Sequence, residues 1–85
     1  MSKQKSSGKI PISLFKIGKV DELVFQFTVT SRAKKEYKVS EQDAVRLFHE
    51  LLHDGFLAFD RKIGSMPGVD AYKVLKHGNL DFYTS

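Results

Sequence analysis

A chain of 85 residues, 41 % hydrophobic and 28 % charged, has room for one small folded domain and is too apolar to be read as disordered. It contains no cysteine, which excludes disulfide staples, thiolate zinc sites and thiol nucleophiles together. Its 14 lysines and arginines outnumber its 10 acidic residues, and the net charge of +4 favours an anionic partner, nucleic acid above all.

No apolar run approaches the ~20 residues of a membrane span, and no hydrophobic signal core follows Met1. The expectation is therefore a cytoplasmic protein with no membrane partner. Residues 1–9 (MSKQKSSGK) carry no apolar side chain after the methionine and read as a flexible basic arm bearing Lys3, Lys5 and Lys9. Residues 10–85 then form a single domain. Ile10 to Ile17 is a strand candidate whose Pro11 argues for an edge or strand-start position, and Gly18 to Asp21 has turn chemistry.

Leu23 to Thr30 reads as the clearest strand. Leu23, Phe25, Phe27 and Val29 alternate onto one face, and Val24, Gln26, Thr28 and Thr30 onto the other. Ser31 to Lys34 suits a hairpin loop, with Tyr37 and Val39 facing inward on a short return strand. On that reading Arg32, Lys34, Lys35 and Lys38 crowd the tip and outer surface of a basic hairpin.

Ser40 opens a helix as its N-cap, with Glu41 and Asp43 at the positive end of the dipole, and Gly55 ends it. Phe56 to Ile63 reads as a strand with Leu57, Phe59 and Ile63 on one side, followed by the turn residues 64–68 (GSMPG). Val69 to Leu75 is open between strand and short helix, tilted toward strand by Val69, Tyr72 and Val74. His77 to Asn79 reads as a turn and Leu80 to Tyr83 as a last short strand. The expected architecture is a single α+β domain of order roughly βββαββ(β), an antiparallel sheet of about four to six strands packed on one main helix. Its expected core is Leu14, Phe25, Phe27, Val29, Val39, Val45, Leu47, Phe48, Leu51, Leu52, Leu57, Phe59 and Tyr72. A helix followed by a hairpin is superficially like the second half of a winged helix. Residues 1–40 read as β, so that fold is not assigned.

Within the helix, His49-Glu50-Leu51-Leu52-His53 spells H-E-x-x-H, in which two imidazoles at i and i+4 bind zinc and the glutamate activates water. At about 100° per residue both histidines fall nearly opposite the arc of Ala44, Val45, Leu47, Phe48, Leu51 and Leu52, on the solvent face. The chain resembles the zincin metallopeptidases over these five residues alone. The metzincin extension would place glycine and histidine where this chain has Phe56 and Phe59, and no glutamate follows Glu50 to serve as third ligand. Asp54, Asp60, Asp70, His77 and Asp81 offer no supportable spacing, and Asp54 stands where that family normally has an uncharged residue. The motif is accordingly read as the polar back of a helix, with no catalytic residue, no metal and no cofactor expected.

The basic hairpin is the stronger candidate site. Arg32, Lys34, Lys35 and Lys38 suit phosphate contacts that release counterions. Arg61 and Lys62 form a second basic pair, extended by Lys73 and Lys76 if their strands pair. Ser31 and Ser40 have no histidine–acid partners in a triad spacing, and residues 64–68 lack the phosphate-loop pattern. The expected function is a non-enzymatic, weakly specific nucleic-acid-binding or accessory protein. The alternative is a protein-interaction module, an inhibitor, adaptor or self-associating subunit, working through a sheet edge. A zinc metallopeptidase is the last of the alternatives.

Overall fold

The computed structural model describes residues 8–65 and 68–84. The basic arm read over residues 1–9 lies outside them except for Gly8 and Lys9, and Lys9 already belongs to the first strand. Met66 and Pro67 of the GSMPG turn also fall outside. In chain order the elements are β1 (Lys9–Ser13), one 3-10 turn (Leu14–Lys16), β2 (Leu23–Phe25), α1 (Gln26–Tyr37), α2 (Glu41–His53), β3 (Leu57–Ile63), β4 (Val69–Val74) and β5 (Asn79–Tyr83).

The class is α+β, with two corrections to the expected order. First, the strand expected over Leu23 to Thr30 stops at Phe25, and the basic hairpin is instead a helix. Val29, Ala33 and Tyr37 recur every fourth residue; Val29, Thr30 and Ala33 are buried and Tyr37 packs partly buried on the same face of α1. The period-2 alternation and β-branched content of residues 23–30 are a weak prior that this packing overrides. Thr28 Oγ1 accepts the Phe25 N–H at 3.2 Å and marks the helix start. At the other end Lys38 takes left-handed backbone (φ 59°) and its N–H reaches the Lys34 carbonyl at 3.0 Å. Tyr37 therefore ends a helix rather than opening a strand. Its hydroxyl accepts the Ser13 N–H at 2.8 Å, tying α1 to the end of β1.

Second, the strands form two sheets, not one. An antiparallel sheet of order β2-β4-β3 places Val24 opposite Tyr72 and Phe59 opposite Tyr72, with a β-bulge between Phe59 and Arg61. A separate ribbon pairs β1 with β5, Ile12 opposite Leu80 and Pro11 opposite Asp81. Pro11 thus sits where a missing N–H is tolerated. The Val69–Val74 segment is the central strand of the larger sheet.

The helix from Ser40 forms as expected. The Ser40 hydroxyl accepts the Asp43 N–H at 3.1 Å, and Asp54 is the C-cap, followed by Gly55 with φ 84°. Replacing Ser40 with alanine is expected to cost about 1 kcal/mol by orphaning that N–H, read as a lower urea midpoint with an unchanged slope.

The core lies where α1 and α2 meet the sheets: Ile12, Leu14, Ile17, Val24, Val29, Leu47, Phe48, Leu51, Leu57, Val74 and Phe82 are fully buried. Phe48 packs edge-on against Tyr72 at 5.0 Å. Two expected core residues are not there. Phe27, on the outer side of α1, is 76 % exposed. Phe59 is 58 % exposed because β3 is an edge strand whose burial fades from Leu57 toward Ile63. Phe25, Val39, Val45, Leu52 and Tyr72 are only partly buried. Among the described residues no helix is long and apolar enough to cross a membrane.

Candidate nucleic-acid interface

Lys38, Val39 and Ser40 join α1 to α2, so the two helices follow one another across a three-residue turn. They pack together, and the β3–β4 hairpin comes directly after. Three parts of this unit carry exposed polar side chains: the turn, the outer face of α2 and the hairpin.

At the turn, Lys35 and Lys38 are exposed, and no ion pair holds either among the described residues. Along α2, Gln42, His49 and His53 are exposed and Val45 partly so, all on the side away from Leu47 and Leu51. The helix's carboxylates are engaged: Glu41 with Lys34, and Asp43 and Glu50 with Arg46 at 3.0 and 3.1 Å. Arg46 is itself anchored by the Tyr83 carbonyl at 2.5 Å and by the Phe82 ring, 4.5 Å below its guanidinium. The centre of the stripe is left to an amide, an aliphatic group and two imidazoles.

On the hairpin, Arg61 and Lys62 project from β3, each beside a carboxylate: Arg61 with Asp60 and Lys62 with Asp70, both at 2.5 Å. Between the hairpin and the start of α1 runs an open groove of about 280 Å³ lined by Phe25, Gln26, Phe27, Lys62, Val69 and Tyr72.

The four cations read as one hairpin cluster are divided by the structure. Arg32 is a fastening residue. Its Nη1 donates to the Ile17 carbonyl at 2.6 Å and its guanidinium faces the Glu22 carboxylate at 3.3 Å. The Lys19 backbone N–H, bonded to Glu22 Oε1 at 2.9 Å, and the Arg32 guanidinium hold the Glu22 carboxyl below its ordinary range, against partial burial. Lys34 is drawn to Glu41 across the turn. Only Lys35 and Lys38 keep the free, exposed character expected of phosphate contacts. Lys73, on β4, has no ion pair among the described residues, whereas Lys76 sits 5.1 Å over the Phe56 ring.

Sequence reasoning placed His49 and His53 on the solvent face of α2 and counted Val45 in the core; the structure leaves Val45 partly buried at the edge of the apolar arc and Gln42 exposed one turn before it. His53 is 89 % exposed at its side chain, and its Nδ1 lies 3.2 Å from Asp54 Oδ1. Among the described residues no group of three or more His, Cys, Asp or Glu side chains is placed to hold a metal ion.

Comparison of the chain with protein-family models, with curated proteins and with solved structures returned no significant match.

Proposed function

We propose that this is a non-enzymatic DNA-binding domain in which α1 and α2 act as a helix-turn-helix, α2 lies in the major groove and the β3–β4 hairpin flanks it as a wing. One observation carries the reading: two helices joined by a three-residue turn are inserted between β2 and the β3–β4 hairpin, and β2 pairs back onto β4. The same element order and strand pairing would serve a winged helix-turn-helix in which a 3-10 turn and the β1–β5 ribbon take the place of the first helix. The net charge of +4 and the two free lysines at the turn suit phosphate contacts. On α2, the Gln42 amide suits an adenine edge and Val45 a thymine methyl.

Fluorescence anisotropy with a random duplex tests this. At physiological salt we expect a dissociation constant on the order of 10⁻⁴–10⁻⁶ M, tightening as salt is lowered. The double variant Lys35→Ala, Lys38→Ala is expected to flatten the log–log salt slope by about 2, one for each lysine. No binding at the lowest salt sinks the proposal.

A protein partner is the second reading, favoured by the exposure of Phe27, Phe59 and Val69 near the groove. A single sedimenting monomer across a wide concentration range removes self-association from that reading.

A further inference from the structure

We propose that His49 and His53 form a two-imidazole site for a divalent transition metal, Zn²⁺, Ni²⁺ or Cu²⁺, on the outer face of α2. The site is non-catalytic and its remaining coordination positions belong to water.

Side chains at i and i+4 on a helix stand one above the other with Cβ atoms about 5–6 Å apart. Two imidazoles at that spacing can close on one ion at Zn–N distances of about 2.0–2.1 Å. Here the intervening residues stay out of the way: Leu51 is buried in the core and Glu50 is held by Arg46 at 3.1 Å. His49 is exposed, and its ring contact is edge-on packing with Phe48 at 5.5 Å, with no hydrogen bond among the described residues competing for its nitrogens.

His53 carries the second observation. Its Nδ1 lies 3.2 Å from the Asp54 carboxylate. In the tautomer that donates from Nδ1 to that carboxylate, Nε2 presents its lone pair outward. A carboxylate behind a ligating imidazole is the usual support of a histidine–metal bond, fixing the tautomer and the ring orientation. The scaffold beneath is firm, because α2 is capped at Ser40 and its opposite face is core.

The donor set determines the class of ion. Imidazole suits zinc, nickel and copper, whereas magnesium and calcium require oxygen ligands. Two protein ligands leave the site open and exchangeable rather than closed as in a structural zinc centre. Glu50, engaged by Arg46, is not free to act as a base on metal-bound water, which separates this site from a peptidase centre. The site does not depend on DNA binding, although it lies on the stripe proposed to face the duplex.

The test is thermal unfolding of the tag-free chain with NiCl₂, ZnCl₂ or MgCl₂ near neutral pH, followed by EDTA. With free nickel or zinc about tenfold above its dissociation constant, the midpoint is expected to rise by at least about 4 °C, with no rise in magnesium and full reversal by EDTA. His49→Ala and His53→Ala should each remove the shift without lowering the metal-free midpoint, since both side chains are exposed. Asp54→Asn should raise the metal concentration needed by about tenfold. His77→Ala, which loses a bond to the Gly18 carbonyl at 2.7 Å, should keep the metal-induced shift from a lower baseline. The proposal is overturned if no shift appears in nickel or zinc, or if the shift survives in the His49→Ala, His53→Ala double variant, which would place the ion elsewhere. Because the readout is stability, a failure of duplex binding leaves this result standing, and the reverse also holds.

Discussion

Phe48→Ala is expected to leave the domain marginally folded or unfolded. At about 0.05–0.15 kcal/mol per residue a chain of this length has roughly 4–13 kcal/mol of stability in total. Truncating a fully buried phenylalanine costs about 3–5 kcal/mol, transfer and cavity together. Phe48 is fully buried, and its edge-on contact with Tyr72 joins α2 to the middle strand of the larger sheet. Truncation therefore opens a hole where helix and sheet meet and withdraws the support under Tyr72. Phe48→Leu, which loses less volume, should be clearly milder. Urea unfolding followed by circular dichroism checks both, and a loss below about 1 kcal/mol in the alanine variant contradicts the packing described.

The second large effect is expected from Arg32→Ala, and it is an effect on folding rather than on DNA. The substitution removes the donor to the Ile17 carbonyl, at a residue that is fully buried, and leaves Glu22 without its cationic partner. Hydrogen bonds to charged groups contribute about 1.5–3 kcal/mol, and the partial exposure of both side chains argues for the lower part of that range. The same contact has a pH signature. Because the folded Glu22 carboxyl titrates below its unfolded value, its contribution is fully present above the unfolded pKa of about 4.3 and is lost as pH falls through the lowered folded value. Stability of the wild type should therefore fall on acidification below about pH 4.3, and this part of the fall should be smaller in Arg32→Ala. It should not vanish, since the Lys19 N–H, the larger cause, remains. Duplex affinity of the folded variant should stay near that of the wild type. A large loss of binding with unchanged stability would return Arg32 to the phosphate-contact role suggested by composition.

What was legible in the chain follows from which forces are local. α2 could be read because its apolar arc, its Ser40 cap and the Gly55 that follows all lie within one segment and agree. β3, β4 and β5 are short apolar runs bounded by turn residues, and they fall close to where that pattern places them. α1 could not be read the same way. The alternation from Leu23 is real for β2, but at Gln26 the period changes from two to four, and the phenylalanines and threonines there favour strand on composition. The helical spacing of Val29, Ala33 and Tyr37 was visible only to a reader willing to leave Phe27 in solvent. Arg32 illustrates the same limit for the site. Its partners are a carbonyl and a carboxylate brought near by folding, so a run of positive charge looked uniform when half of it was engaged. Lys35 and Lys38 were picked correctly as exposed cations, on the wrong element.

The β1–β5 ribbon has a kinetic consequence. Gly8 donates to the Thr84 hydroxyl across 76 positions, and every rung of the ribbon is comparably remote in sequence. Loop closure of that length gives nothing back until α1, α2 and the β3–β4 hairpin have already drawn the intervening chain together. The ribbon is therefore expected to assemble late, and its amides should exchange with solvent faster than those of α2. Ile12 and Phe82 are nevertheless fully buried. Opening of the ribbon would expose Ile12 and Phe82 together, so substitutions in this seam should speed unfolding more than they slow folding.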